Sequence, residues 1–317
     1  MSDKVKKQHF VPQFLLRNFA DKNEKLWIYE KSTGRSFPSG VANIGCDGYF
    51  YDDPEIAAVT GEAQFVEKAL SRAEGRWSST LTAVLERVRS QADVGLSPKE
   101  RSCISQMIAL QMVRTPLARE VNDQMRGAME RALRRSFSQD QDDEKAEISI
   151  PKGLSDIDPK NFHIKSMLNH VSIARYQGIF FGHMWNFLRA GQHGRFYTSD
   201  HPLSRRPHIT GGWMSHSGIT SKGIEMSFPL ADDVTLLMYD REYFYKMGFM
   251  DGKANDALAP EMLLYYNSMQ VQESHRFLYS RTSDFEHAET VLKEEPHFRD
   301  PNRKVVIDSR DKYYLHY

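Results

Sequence analysis

Features that would assign a function class on sight are scarce in this sequence. Only two cysteines occur in 317 residues, Cys46 and Cys103, and neither belongs to a CxxC pair or another zinc spacing. They read as reduced thiols packed like small hydrophobes. Charge of one sign is not in excess, with 42 basic against 42 acidic residues. That balance removes the simplest electrostatic mark of a nucleic-acid binder, although it leaves room for a local basic patch. Long hydrophobic runs are missing too. The nearest, Ile179 to Leu188, is interrupted by Gly182, His183 and Asn186, and a spanning helix needs roughly 18 apolar residues. The opening MSDKVKKQHF carries lysines but no apolar stretch after them, so no signal peptide is read and the cytoplasm is the expected address. GxGxxG, P-loop, GxSxG and HExxH patterns are all lacking.

What is present is ordinary globular usage, 40% hydrophobic and 26% charged. Length fits about two average domains or one large one. A single compact unit over 1–317 is expected, the alternative being a division into 1–137, a linker at 138–157 and 158–317. The linker rests on SQDQDDEKAE at 138–147, which is acidic and has no apolar period. Leu26 to Tyr29, Ser32-Thr33-Gly34-Arg35 and Ser36-Phe37 predict a hairpin, and Tyr49 to Tyr51 a third strand. Val66, Leu70, Ala73, Trp77, Leu81, Val84 and Val88 recur at helical spacing and predict a long amphipathic helix over about 62–89. Ser97-Pro98-Lys99-Glu100 combines a capping box with a first-turn proline, so a second long helix is expected through Leu133, kinked at Pro116. Asp158-Pro159 opens a third, expected to run through Leu188. Short strands are then expected at 195–198, 234–239, 275–279 and 304–307, a loop at 205–224, and helices at 260–273 and 284–293. The fold class is α+β and helix-dominated, with three long helices packed against a mixed set of short strands.

Three segments could carry chemistry. In the first, His9 precedes a short helix on which Gln13 and Arg17 lie one turn apart. His9 reads as a general acid or base, or as a histidine beside a packed helix end. In the second, Gln111, Arg114, Thr115 and Arg119 extend the apolar row of Ile104, Met107 and Ile108. A buried arginine there is either an anion clamp or one half of an internal salt bridge to Glu67 or Glu74. In the third, Phe196 to Pro202 ends a strand in Ser199, Asp200 and His201. Asp200 could orient His9 or bind a divalent cation, or serve an Asx-type turn ahead of Pro202. His163 and His170, seven residues apart, read as solvated or core residues.

Together these segments resemble a bacterial family known only as domain of unknown function 4238. The likeness lies in His9-x-x-Pro12-x-x-x-Leu16-x-x-Phe19, the Leu26 to Tyr29 strand, Gln111-x-x-Arg114-Thr115-Pro116-x-x-Arg119, and Tyr197 to Pro202. Phe228-Pro229-Leu230 and Asn267 through Arg276 to Tyr279-Ser280 extend it. Where the family usually has a small polar residue inside SDxP, this chain has His201. The resemblance implies one composite site and a bacterial cytoplasmic protein, in the company of accessory genes from mobile or defence contexts. It implies no activity.

The functional expectation is a nuclease-type hydrolase acting on a phosphate-bearing substrate. His9, Asp200 and Glu67 would be catalytic, and Gln13, Arg17, Gln111, Arg114, Arg119 and Ser199 would bind substrate, with Mg²⁺ or Mn²⁺ as the cation a metal-assisted version needs. The alternative is a non-catalytic module binding a small anion or a protein partner.

Overall fold

The computed structural model describes residues 4–137, 158–210 and 217–304. The expected acidic linker at 138–147 and all but the first residue of the expected strand at 304–307 lie outside them. The chain is α+β. It opens with β1 (Lys7–His9), α1 (Gln13–Arg17) and the hairpin of β2 (Lys25–Glu30) and β3 (Arg35–Gly40). β4 (Cys46–Gly48) then returns antiparallel to β1, with Cys46 opposite His9. The strand expected at Tyr49 to Tyr51 is a turn, because Tyr49 takes a left-handed backbone with φ 51° that ends the ladder.

After the short α2 (Pro54–Thr60) come α3 (Phe65–Ser90), at the first expected long helix, and α4 (Pro98–Val113) and α5 (Pro116–Phe137), which divide the second. α3 buries Val66, Leu70, Trp77, Leu81, Val84 and Val88 along one stripe, as its period requires. α4 starts on the capping box of Ser97 and Glu100. At Pro116 the expected kink is a full break: α4 stops at Val113, Arg114 is its C-cap, and Pro116 starts α5 where its missing N–H costs nothing.

The helix expected over 158–188 is three elements, α6 (Pro159–Leu168), α7 (His170–Gly182) and β5 (Met184–Arg189). Asn169 leaves helical geometry, and its side chain accepts from the N–H of Ser172 to start α7. Met184 to Leu188 are buried without alternation, a pattern that periodicity alone cannot tell from a core helix.

The remaining elements are β6 (Thr198–Ser199), β7 (Ser204–Pro207), β8 (Ile224–Ala231), β9 (Val234–Tyr239), β10 (Lys253–Asp256), α8 (Pro260–Glu273), β11 (Phe277–Ser280) and α9 (Glu286–Glu294). β7 takes up the start of the loop expected at 205–224 and Ile224 begins β8, while 211–216 are not described. One sheet runs β10-β5-β9-β8-β7 and another β3-β2-β11-β6. All pairings are antiparallel apart from β10 with β5. The largest apolar cluster draws on Phe10, Trp77, Ile108, Trp185, Phe228 and Tyr279, so helices, hairpin and large sheet share one core. Among the described residues no helix is long and apolar enough to cross a membrane.

Candidate functional site

The first segment folds back on the β4 turn. The N–H groups of Phe10 and Val11 both donate to the Gly45 carbonyl, at 2.8 and 3.0 Å. Gly45 has φ +59°, and a Cβ there would stand 3.0 Å from Val11 Cβ, so this close approach depends on glycine. It leaves His9 at the end of β1, one helical turn before Gln13. Arg17 donates to Gln13 Oε1 at 3.0 Å and to Glu24 at 2.9 Å. Because arginine can only donate, this fixes the Gln13 amide with its nitrogen towards His9, 3.4 Å from Nδ1. Nδ1 is then the acceptor, and the ring hydrogen belongs on Nε2, which is buried and faces the Val41 carbonyl without a well-formed hydrogen bond. Burial, helped by the charges of Arg114, Lys7 and Arg17 and opposed by the Val41 carbonyl, lowers the His9 pKa to about 4. His9 is therefore neutral at pH 7, an N–H donor rather than a charged acid.

The second segment supplies the hub. Arg114 leaves the end of α4 with its side chain 2% exposed. Its guanidinium donates to the His9 carbonyl at 2.5 Å, to Glu74 at 2.9 Å and to the Tyr51 hydroxyl at 3.2 Å. Of the two salt-bridge partners named from sequence, Glu74 makes the pair. A guanidinium this deep needs its compensating carboxylate, since removing one partner of such a pair strands the other charge. Tyr51 also points its hydroxyl at the His9 carbonyl, 3.3 Å away. Gln8, fully buried, accepts from Tyr51 N–H at 2.6 Å and donates to Asp52 at 2.5 Å.

Glu67 lies two helical turns before Glu74 on the same face of α3. Burial pushes its carboxyl up to about 7, with Glu74 and Asp52 adding to the rise and Arg114 opposing it. No hydrogen bond or ion pair holds it among the described residues. It is thus a half-buried carboxyl that can carry or release a proton near neutral pH.

Arg119, in the first turn of α5, belongs to a neighbouring arrangement. Its guanidinium stacks 3.8 Å from the Phe50 ring centroid, donates to the Phe50 carbonyl at 2.9 Å, and reaches His163 Nδ1 at 3.4 Å. His163 in turn donates from Nε2 to the Val113 carbonyl at 2.8 Å, and burial lowers its pKa to about 4. Gln111 donates to the Phe10 carbonyl at 2.8 Å, and its Oε1 is buried without a partner.

The third segment meets the second through Thr115, whose hydroxyl lies 2.7 Å from His201 Nδ1. Ser199 accepts from Gln270 at 2.8 Å and from His201 N–H at 3.0 Å. Asp200 is engaged elsewhere than with His9: one oxygen accepts from His275 N–H at 2.8 Å, the other from Arg276 and Phe277 N–H at 2.7 and 3.0 Å. Its carboxylate is thus a receptor for the backbone entering β11. Among the described residues no group of three or more His, Cys, Asp or Glu side chains is arranged to hold a metal ion.

The structure therefore brings His9, Arg114 and Glu67 into one cluster and strings Gln13 and Arg17 behind His9. Arg119 and Asp200 are tied to other partners. Sequence reasoning missed Tyr51, Gln8 and His163 as members of these networks. The one signal was the aromatic run Tyr49-Phe50-Tyr51, whose members contribute a carbonyl, a ring face and a hydroxyl.

A family model described as "Protein of unknown function (DUF4238)" matches residues 7–284, and the chain belongs to that family. Comparison with curated proteins gives no match, and comparison with solved structures gives none.

Proposed function

We propose that this member of the family is a hydrolase of nuclease type acting on a phosphate-bearing substrate, with Glu67 transferring the proton. The observation that carries the reading is the unengaged Glu67 carboxyl beside the buried Arg114–Glu74 pair. A half-buried carboxyl with no structural partner is suited to acid–base work at neutral pH. Arg114 contributes a fixed positive field rather than a clamp, because its N–H groups go to Glu74, Tyr51 and the His9 carbonyl. Arg17, about half exposed, is the guanidinium suited to a substrate phosphate. His9 lends the cluster a neutral imidazole whose Nε2–H is buried, so its part in the reaction requires that ring to turn towards the substrate.

The test is release of nitrophenolate from bis(p-nitrophenyl) phosphate, and cleavage of labelled DNA and RNA strands, with Mg²⁺ or Mn²⁺ present. Wild type is expected to turn over, and Glu67→Gln to lose roughly 10²- to 10⁴-fold in rate while keeping its circular dichroism. No cleavage by wild type on any of these substrates, or full activity in Glu67→Gln, rejects the reading.

A second reading is a non-catalytic module for a small anion or a protein partner, in which the half-exposed Arg17 holds the ligand and no proton is transferred. Calorimetric titration with inorganic phosphate separates the two: saturable binding unchanged in Glu67→Gln, without turnover, supports the module. A bacterial cytoplasmic setting and a defence role rest on the family resemblance alone. Phage challenge of cells with and without the gene tests the defence role, and equal plaque counts reject it.

A further inference from the structure

A second buried carboxylate lies apart from the His9 cluster, on the large sheet. Glu225 of β8 is 3% exposed. Its Oε1 accepts from the Tyr266 hydroxyl at 2.8 Å, and its Oε2 from the Tyr265 hydroxyl and from His208 Nε2, each at 2.7 Å. Burial pushes the carboxyl pKa up, but the hydrogen bonds from His208, Tyr265 and Tyr266 outweigh it and hold the group below its ordinary value.

Among the described residues no lysine or arginine pairs with this anion directly. Arg206 stands directly across from Glu225 in the β7–β8 register, yet its guanidinium lies over the Tyr265 ring at 4.6 Å and donates to Gln272 at 3.2 Å. The single ion-pair partner of Glu225 among the described residues is His208, and an imidazole is charged over only part of the pH range. The hydrogen bonds already stabilise this charge, and a cation on the same oxygens would add an ion pair to them.

The surroundings fit such a cation. The His208 ring meets Phe244 edge-on at 5.1 Å between centroids and Tyr243 at 6.5 Å, so the ring that contacts the carboxylate also sits against aromatic faces, which favour an organic cation. The His208 side chain is about a third exposed, whereas that of Glu225 is almost fully covered. The His208 backbone is held independently, its N–H donating to the Gly223 carbonyl at 2.9 Å. The imidazole can therefore swing out by side-chain rotation while β7 stays paired.

We propose that Glu225, Tyr265, Tyr266, Tyr243 and Phe244 form a binding site for a small free alkylammonium, and that His208 is the internal occupant this ligand displaces. The ligand must carry an N–H, because the position it takes over is that of the imidazole N–H on Oε2. Its fixed charge supplies what the imidazole lacks.

Putrescine is the probe, titrated calorimetrically into the full chain at constant ionic strength, with Nα-acetyl-lysine amide as the peptide-borne alternative. Saturable putrescine binding is expected in wild type, with the His208 ring resonances moving during the titration. His208→Ala removes the competitor and should bind roughly ten-fold tighter, while Tyr265→Phe should bind several-fold weaker and Glu225→Gln at least ten-fold weaker. Tyr265→Phe keeps the test decisive if Glu225→Gln fails to fold. Absence of saturable binding in both wild type and His208→Ala overturns the proposal. So does equal affinity in wild type and His208→Ala, or in wild type and Tyr265→Phe. Binding of the lysine amide but not of putrescine overturns the assignment to a free amine.

Discussion

Replacing Glu67 by glutamine should stabilise the protein above neutrality and do little in acid. The folded carboxyl titrates at about 7 against an ordinary 4.5, mainly because burial disfavours its charge. Between those values the folded chain holds a proton that the unfolded chain has released, so stability falls as pH rises through that window. At about 1.4 kcal/mol for each pH unit between the two values the ceiling is roughly 3 kcal/mol. The half-exposed position of the group screens it, which brings the expected cost to about 1–2 kcal/mol at pH 8.5. Glutamine has nearly the same shape and never ionises. Urea denaturation followed by far-ultraviolet circular dichroism, at pH 5, 6, 7 and 8.5, measures the difference directly. Wild type and Glu67→Gln should differ little at pH 5, separate up to about pH 7 and keep a nearly constant gap from there to pH 8.5, with the variant more stable. A gap that does not vary with pH, or one that widens towards acid, would refute a buried, uncompensated Glu67.

Asp200→Ala should cost roughly 3–6 kcal/mol, since three backbone N–H groups lose a charged acceptor together; an unchanged urea midpoint would deny its role in holding the start of β11. Arg114→Met should cost about 3–5 kcal/mol by stranding Glu74 in a partly buried position, and adding Glu74→Leu should recover part of that loss. A double variant no more stable than Arg114→Met alone would refute the pairing. Gly45→Ala should destabilise by about 1–2 kcal/mol through its left-handed backbone, with the 3.0 Å approach of Val11 Cβ adding to the loss. An alanine variant with wild-type stability in a thermal melt would count against that strained approach. His201→Ala and Thr115→Val should each cost about 1 kcal/mol and combine without adding, as expected for two partners in one hydrogen bond; additive losses in a double-mutant cycle would show that they act separately.

The parts of the fold that could be read in advance are those where one local rule suffices. The stripe from Val66 to Val88, the capping box at Ser97 and the helix opening at Pro260 depend on residues within a few turns of one another. β5 and β8 escaped because burial removes the alternation that marks a half-exposed strand, and neither stands out as a short apolar run, as buried β9 does between Asp233 and Asp240. The same limit applies to the site. That Arg114 would be buried followed from its position on an apolar row, and Glu74 was one of two partners within reach. Asp200 stood out as a polar residue at a strand end, but its donors lie about 75 residues further on. Only the pairing of β6 with β11 brings them together. The Glu225 cage was invisible for a similar reason: its hydroxyls come from α8 and its imidazole from the end of β7.

The hub also decides which substitutions can speak about function. Arg114 and Tyr51 both bond the carbonyl of His9, and Gln111 bonds the carbonyl of Phe10. These side chains clamp the N-terminal segment onto α4 through its backbone, whatever residue stands at position 9. Loss of activity in Arg114→Ala would therefore report detachment of that segment as readily as loss of a transition-state charge. Glu67 has no such structural duty, and His9→Ala keeps the carbonyl that Arg114 and Tyr51 grip. Only substitutions that leave the clamp intact can separate chemistry from folding here, and a catalytic role for this cluster stands or falls with Glu67 and His9.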